Sequence, residues 1–178
     1  MKRNLIMLVT LLLSFNSFAG KENFTKGPVF KNYGENVAIK GALIHPEKQT
    51  FKVVFDIANI NENGGVNGNF NTVARFINMH VRAGVPLENI DVAMVVHGKS
   101  GFDLMTNAAY KNKFDQDNVS AELVSLLLAA DVKIYLCGQS ASYLGVDKVD
   151  LIPSVEMALS AMTANALLQQ QGYTLNPF

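Results

Sequence analysis

The chain has 178 residues, of which 49% are hydrophobic and 17% charged; this excludes disorder and suits one well-cored domain rather than two. Lys plus Arg number 15 and Asp plus Glu number 15. No excess positive charge draws a phosphate backbone, so nucleic acid is not an expected partner.

The first 19 residues read as an export signal. Lys2 and Arg3 precede the apolar run Leu5 to Leu13, and Ser17-Phe18-Ala19 offers small residues before a cut at Gly20. The alternative is an uncleaved anchor, but the run is shorter than the roughly 20 residues that span a bilayer. A short tripartite signal suits a bacterium, so the expected address is the periplasm or the medium, with no stable membrane insertion after cleavage.

Residues 20–48 read as a polar N-terminal arm broken by Gly27-Pro28, Gly34 and His45-Pro46, with a short edge strand over Val37 to Ile44. The domain proper is expected over 49–178. Phe51 to Ile57 is a strand by its β-branched and aromatic content. Asn59 to Asn71 holds six Asn and three Gly and reads as a long loop, a mobile flap in expectation. Its Gly64-Gly65 pair lacks the phosphate-loop patterns. Asn71 is the expected cap of a helix over Thr72 to Arg82, which Gly84 and Pro86 terminate. Ile90 to Gly98 is a second strand, and its unbroken apolar run Val92 to Val96 predicts cover on both faces. A short helix and polar turn over Gly101 to Phe114 come next, then a helix over Ser120 to Ala130 capped by Asp117 or Asn118. Val132 to Cys137 is the third strand. A short helix or turn over 140–153, a strand over Val155 to Leu159, a helix over Ser160 to Gln171 and a last strand over Tyr173 to Leu175 complete the chain. Regular alternation of strand and helix predicts an α/β fold on a parallel sheet.

In open α/β sheets ligands sit beyond the carboxyl ends of the strands. Three strands here end in polar residues that would converge on one rim: Asp56 with Asn59, His97-Gly98-Lys99-Ser100, and Cys137-Gly138-Gln139-Ser140. Cys137, the one cysteine of the chain, cannot form an internal disulfide and is buried and inert, paired between chains, or reactive. Its place between a strand and a helical turn offers backbone N–H groups that favour the thiolate. Gly138 permits close backbone approach. His97 is either a capped structural residue, a base for Cys137, or a donor to a bound anion. Asp103 either caps a short helix or lines the rim, and His45 and His80 read as structural. No spacing of His, Cys, Asp and Glu matches a metal site, and no cofactor motif is present.

His97-Gly98 after a Val-Val strand, Ile134-Tyr135-Leu136-Cys137-Gly138-Gln139, Ala158-Leu159-Ser160-Ala161-Met162-Thr163 and Gln171-Gly172-Tyr173 resemble the DsrE/DsrF-like family, in particular its small YchN-like branch. The resemblance runs from about Phe51 to Phe178. It implies a three-layer α/β/α sandwich on a mainly parallel sheet of about five strands, assembled as trimers or hexamers. It also implies a sulfur-relay role, in which a cysteine accepts sulfur as a persulfide; that role falls on Cys137. The expectation is therefore an exported carrier of sulfane sulfur that works with a donor or acceptor protein or a small sulfur compound, more carrier than enzyme. Cys137 and His97 would act on sulfur, with Asn59, Gly98, Gly138 and Gln139 lining the site. The alternative is a non-catalytic module that binds a small ligand or a partner at the same rim.

Overall fold

The computed structural model describes residues 20–41 and 45–177. Its elements are β1 (Phe51–Ile57), α1 (Gly68–Arg82), β2 (Ile90–Val96), α2 (Asn107–Phe114), α3 (Ala121–Ala129), β3 (Lys133–Cys137), α4 (Gly138–Leu144), β4 (Glu156–Ala158), α5 (Ala161–Gln170) and β5 (Thr174–Asn176), with a 3-10 segment at Gly98–Leu104. The sheet order is β4-β3-β2-β1-β5, and every pairing is parallel. The central place of β2 explains its apolar run: Val92 to Val96 are each at most 1% exposed because both faces are covered.

Side chains alternate across the sheet. Val53, Phe55, Ile57, Met94, Val96, Ile134 and Leu136 join Phe70, Val73 and Ile77 of α1 and Leu123, Val124 and Leu127 of α3 in the larger core. Val54, Ala93 and Val95 face the other way, onto Ala164 and Leu168 of α5 and onto Tyr173. The three-layer sandwich is therefore uneven, since α5 stands alone on its side in the described residues.

Four expectations change. Helix α1 starts a turn before Thr72: Asn67, not Asn71, is its N-cap, and the Asn67 side chain accepts from the N–H groups of Asn69 and Phe70. Asn71 Oδ1 instead accepts from Gly34 N at 2.8 Å. The loop after β1 is correspondingly shorter, and it is anchored by Asn67 Nδ2, which donates to Asn59 O at 2.9 Å. Next, the polar arm is strapped down. Phe30 is buried in the larger core. Asn78 on α1 accepts from the N–H groups of Val29 and Phe30 and donates to the carbonyls of Phe30, Tyr33 and Gly34. Third, no strand forms over the described residues 37–41; the rest of the expected edge strand, at 42–44, lies outside the described residues, as does the export signal. Finally, α3 takes Ser120 as its N-cap, and Asn118 acts one step back by accepting from Ser120 N at 3.0 Å, while Asp117 pairs with Lys111. No helix among the described residues is long and apolar enough to cross a membrane.

Candidate functional site

Asp56, His97 and Cys137 lie at the carboxyl ends of three adjacent strands. Val96 is paired with Leu136, so the next residues in each strand direction, His97 and Cys137, are level. Alternation then turns Asp56, with Val54, and His97, with Val95, to the α5 side. There the three meet at an open cavity of about 280 Å³, shared with Gln139 and Ser140 from α4 and Met162 and Asn165 from α5.

Cys137 ends β3 and is at once the N-cap of α4, with no loop between them. The first N–H groups of a helix lack internal partners, and the sulfur takes them. Ser140 N donates to Cys137 Sγ at 3.5 Å. The Ser140 hydroxyl accepts from Gly98 N at 3.0 Å and is also bonded to the sulfur. Burial pushes the Cys137 thiol up, but bonds from the Ser140 hydroxyl and from the backbone N–H groups of Ser140, Ala161 and Gln139 outweigh it, and the thiol sits below its ordinary value. The residue is 5% exposed and forms part of the cavity wall. It is thus a buried residue with an opening, not one sealed in the core.

His97 continues β2 in extended geometry, and its N–H donates to Ile57 O at 2.8 Å. Its ring does not bond to Cys137. Nε2 lies 3.2 Å from Asp56 Oδ2, and Asp56 Oδ1 accepts from Asn165 Nδ2 at 2.7 Å. The result is an Asn165–Asp56–His97 chain that ends in the same cavity as the sulfur and fixes the ring's orientation.

Of the residues expected at the site, Cys137, His97 and Gln139 line the cavity. Gly98 and Gly138 stand behind it. A Cβ on Gly138 would meet Ala158 O at 2.7 Å and Leu159 O at 3.3 Å, and Gly98 has φ +56 with its N–H on Ser140. Both glycines therefore shape the wall through the backbone. Asn59 does not line the cavity and lends only its carbonyl, to Asn67. Ser140, part of the polar strand end at Cys137, also lines the cavity, as do Asn165 and Met162, which the sequence does not point to. Asn165 reaches Asp56 across 109 positions of sequence, a separation that no local pattern can show. Among the described residues no group of three His, Cys, Asp or Glu is placed to hold a metal.

The profile of the DsrE/DsrF-like family matches residues 52–177. Among curated proteins none matches. Six solved chains match, among them these two. A protein of unknown function, MTH1491 from Methanobacterium thermoautotrophicum, has a TM-score of 0.53 at 19% identity, covering 72% of this chain and 99% of its own. The ychN protein of E. coli has a TM-score of 0.51 at 16% identity, covering 72% of this chain and 100% of its own. At these identities the likeness concerns the fold.

Proposed function

The chain belongs to the DsrE/DsrF-like family, a family implicated in sulfur relay, and on that premise we propose that Cys137 carries sulfane sulfur as a persulfide and passes it to a partner. The observation that carries this reading is the sulfur's position: it lines an open cavity and is held by N–H and hydroxyl donors that favour the thiolate.

In the loading step the Cys137 thiolate attacks the outer sulfur of a donor persulfide. A bond from Sγ to that sulfur forms, the donor's S–S bond breaks, and the donor leaves as a thiolate that takes up a proton. In delivery, a partner thiolate attacks the outer sulfur, the Sγ–S bond breaks, and the Cys137 thiolate returns to the same donors. Sulfur moves without an external oxidant or reductant. The chain has one cysteine, so no second thiol of its own can expel the cargo, and a partner thiol must do so. His97, oriented by Asp56 and lining the same cavity, would exchange protons with the sulfur species there.

The leader-like residues 1–19 support an exported, periplasmic carrier. A homo-oligomer, trimer or hexamer, is proposed as well. Met157, Leu159, Met162 and Leu167 are 37%, 72%, 80% and 50% exposed on and beside the lone helix α5, an apolar surface for a second copy to cover.

Treatment with inorganic polysulfide followed by intact mass measurement tests the carrier role. Wild type is expected to gain sulfur that a reductant removes, and Cys137→Ser to gain none. The same adduct on both would overturn it. Retention of a small ligand by Cys137→Ala and its loss in His97→Ala would favour the binding-module reading.

A further inference from the structure

A second cavity, also of about 280 Å³, lies between the loop after β1, the 3-10 segment at Gly98–Leu104 and α2. It shares no lining residue with the Cys137 cavity. Gly64 and Gly65 bring loop backbone to one wall, and Phe102, Tyr110 and Phe114 supply aromatic surface. The rings brace one another: Phe114 lies 4.8 Å from Phe102 and 4.7 Å from Tyr110 between centroids.

Asp103 also lines this cavity and is only 9% exposed. Burying a carboxylate is costly unless a cation or enough donors offset it. No Lys, Arg or His forms an ion pair with Asp103 among the described residues. Its bonds come from neutral groups, Asn67 Nδ2 at 2.7 Å and Ser120 Oγ at 3.4 Å. Those bonds tie the N-cap of α1 to that of α3, which is a structural role. They use two of the roughly four acceptor positions of a carboxylate, and the second bond is long. Burial together with the Asp103 charge pushes the Tyr110 phenol up, which places that ring within the carboxylate's field.

Lys99 also lines the cavity and Lys113 Nζ lies 5.8 Å from the Phe102 ring centroid, but neither forms an ion pair with Asp103. A buried carboxylate without an ion-pair partner, beside aromatic rings, is a setting that suits an organic ammonium: the charge meets the carboxylate and the ring faces, and the apolar body meets the rings. The volume is just under the range of about 300–1,000 Å³ typical of drug-sized sites, which limits the ligand to about one ring. We propose that this cavity binds a small primary amine with an apolar body, its ammonium head on Asp103 and its body against Phe102, Tyr110 and Phe114.

The probe pair is 2-phenylethylamine, which is cationic at neutral pH, and its uncharged counterpart 2-phenylethanol. Each is titrated into the full chain labelled with nitrogen-15, and backbone amide shifts are followed. The amine is expected to saturate with shifts at Gly64, Gly65 and Val119, and the alcohol to bind at least tenfold more weakly. Phe114→Ala, at a position already 37% exposed, is expected to lower amine affinity several-fold. Asp103→Asn is expected to abolish the preference for the amine. Should that variant fail to fold, the wild-type probe pair and Phe114→Ala decide the matter. No saturable shift with the amine, equal binding of the alcohol, shifts centred on the Cys137 cavity, or an unchanged Phe114→Ala would each overturn the assignment. The result is independent of Cys137 chemistry, so its failure leaves the carrier proposal standing.

Discussion

At Cys137 two opposing effects meet on one atom. Burial favours the neutral thiol, the donors at the start of α4 and α5 favour the thiolate, and the donors win. The geometry depends on the next residue. Gly138 lets the start of α4 lie against the end of β4, where any Cβ would press on Ala158 O at 2.7 Å. Gly138→Ala is expected to destabilise the fold by about 1–3 kcal/mol, read as a lower urea midpoint, and to disturb the sulfur's donors. Wild-type stability in that variant would contradict the packing role. In the sequence, Cys137 followed by glycine after an apolar strand was enough to mark the thiol. The reason for the glycine was not legible. It reads there as permitting close backbone approach, but that the approach is to the carbonyls of a neighbouring strand is a long-range fact. The same holds for the Asp56–Asn165 contact: each residue is visible in the sequence, but their meeting is not.

Among the elements, the strands were the most legible and the caps the least. Phe51–Ile57 and the run inside Ile90–Val96 carry their own periodicity and burial signal. The start of α1 did not, because six asparagines between 59 and 71 offered several caps of similar intrinsic quality. Tertiary bonds decided among them: Asn67 is held by Asn59 O and Asp103, whereas Asn71 is used by Gly34. The arm's fastening is hidden for a related reason. Its composition is polar and irregular, yet bonds to five of its backbone groups come from one buried asparagine on α1. Asn78→Leu removes five bonds to the arm backbone at once. A buried group left unpaired costs about 1–3 kcal/mol. The variant is expected to lose at least about 3 kcal/mol and to be cut by trypsin at Lys26 or Lys31, with the β-sheet core intact. Unaltered trypsin resistance would contradict the strap.

For the whole molecule, the alternating elements correctly announced a parallel α/β sheet, and the family resemblance supplied its three layers. The unequal covering of the two faces was not announced, because α5 looks from its sequence like any other amphipathic helix. Stability across the acid range reflects two carboxyls with opposite settings. Burial pushes Asp91 up, but its bonds from Lys133 and Tyr173 prevail and hold it below the usual value; its contribution is present above the ordinary carboxyl range and lost as pH falls through the lowered folded value. Burial raises Asp103 over the opposing bonds from Asn67 and Ser120, so its contribution is present below the ordinary range and lost as pH rises through the raised folded value. Urea midpoints between about pH 3 and 7 are therefore expected to diverge. The advantage of wild type over Asp91→Asn should grow with pH, and that over Asp103→Asn should shrink; parallel slopes would contradict the assignment. The account as a whole rests on a thiol that solvent can reach and that ionises easily in the folded protein. Its most direct measurement is the rate of iodoacetamide labelling of the native chain as pH is raised. Complete labelling of Cys137 without unfolding, with a midpoint below the ordinary cysteine value of about 8.5, is the predicted result. Labelling that waits for denaturant, or a midpoint at or above that value, would contradict it.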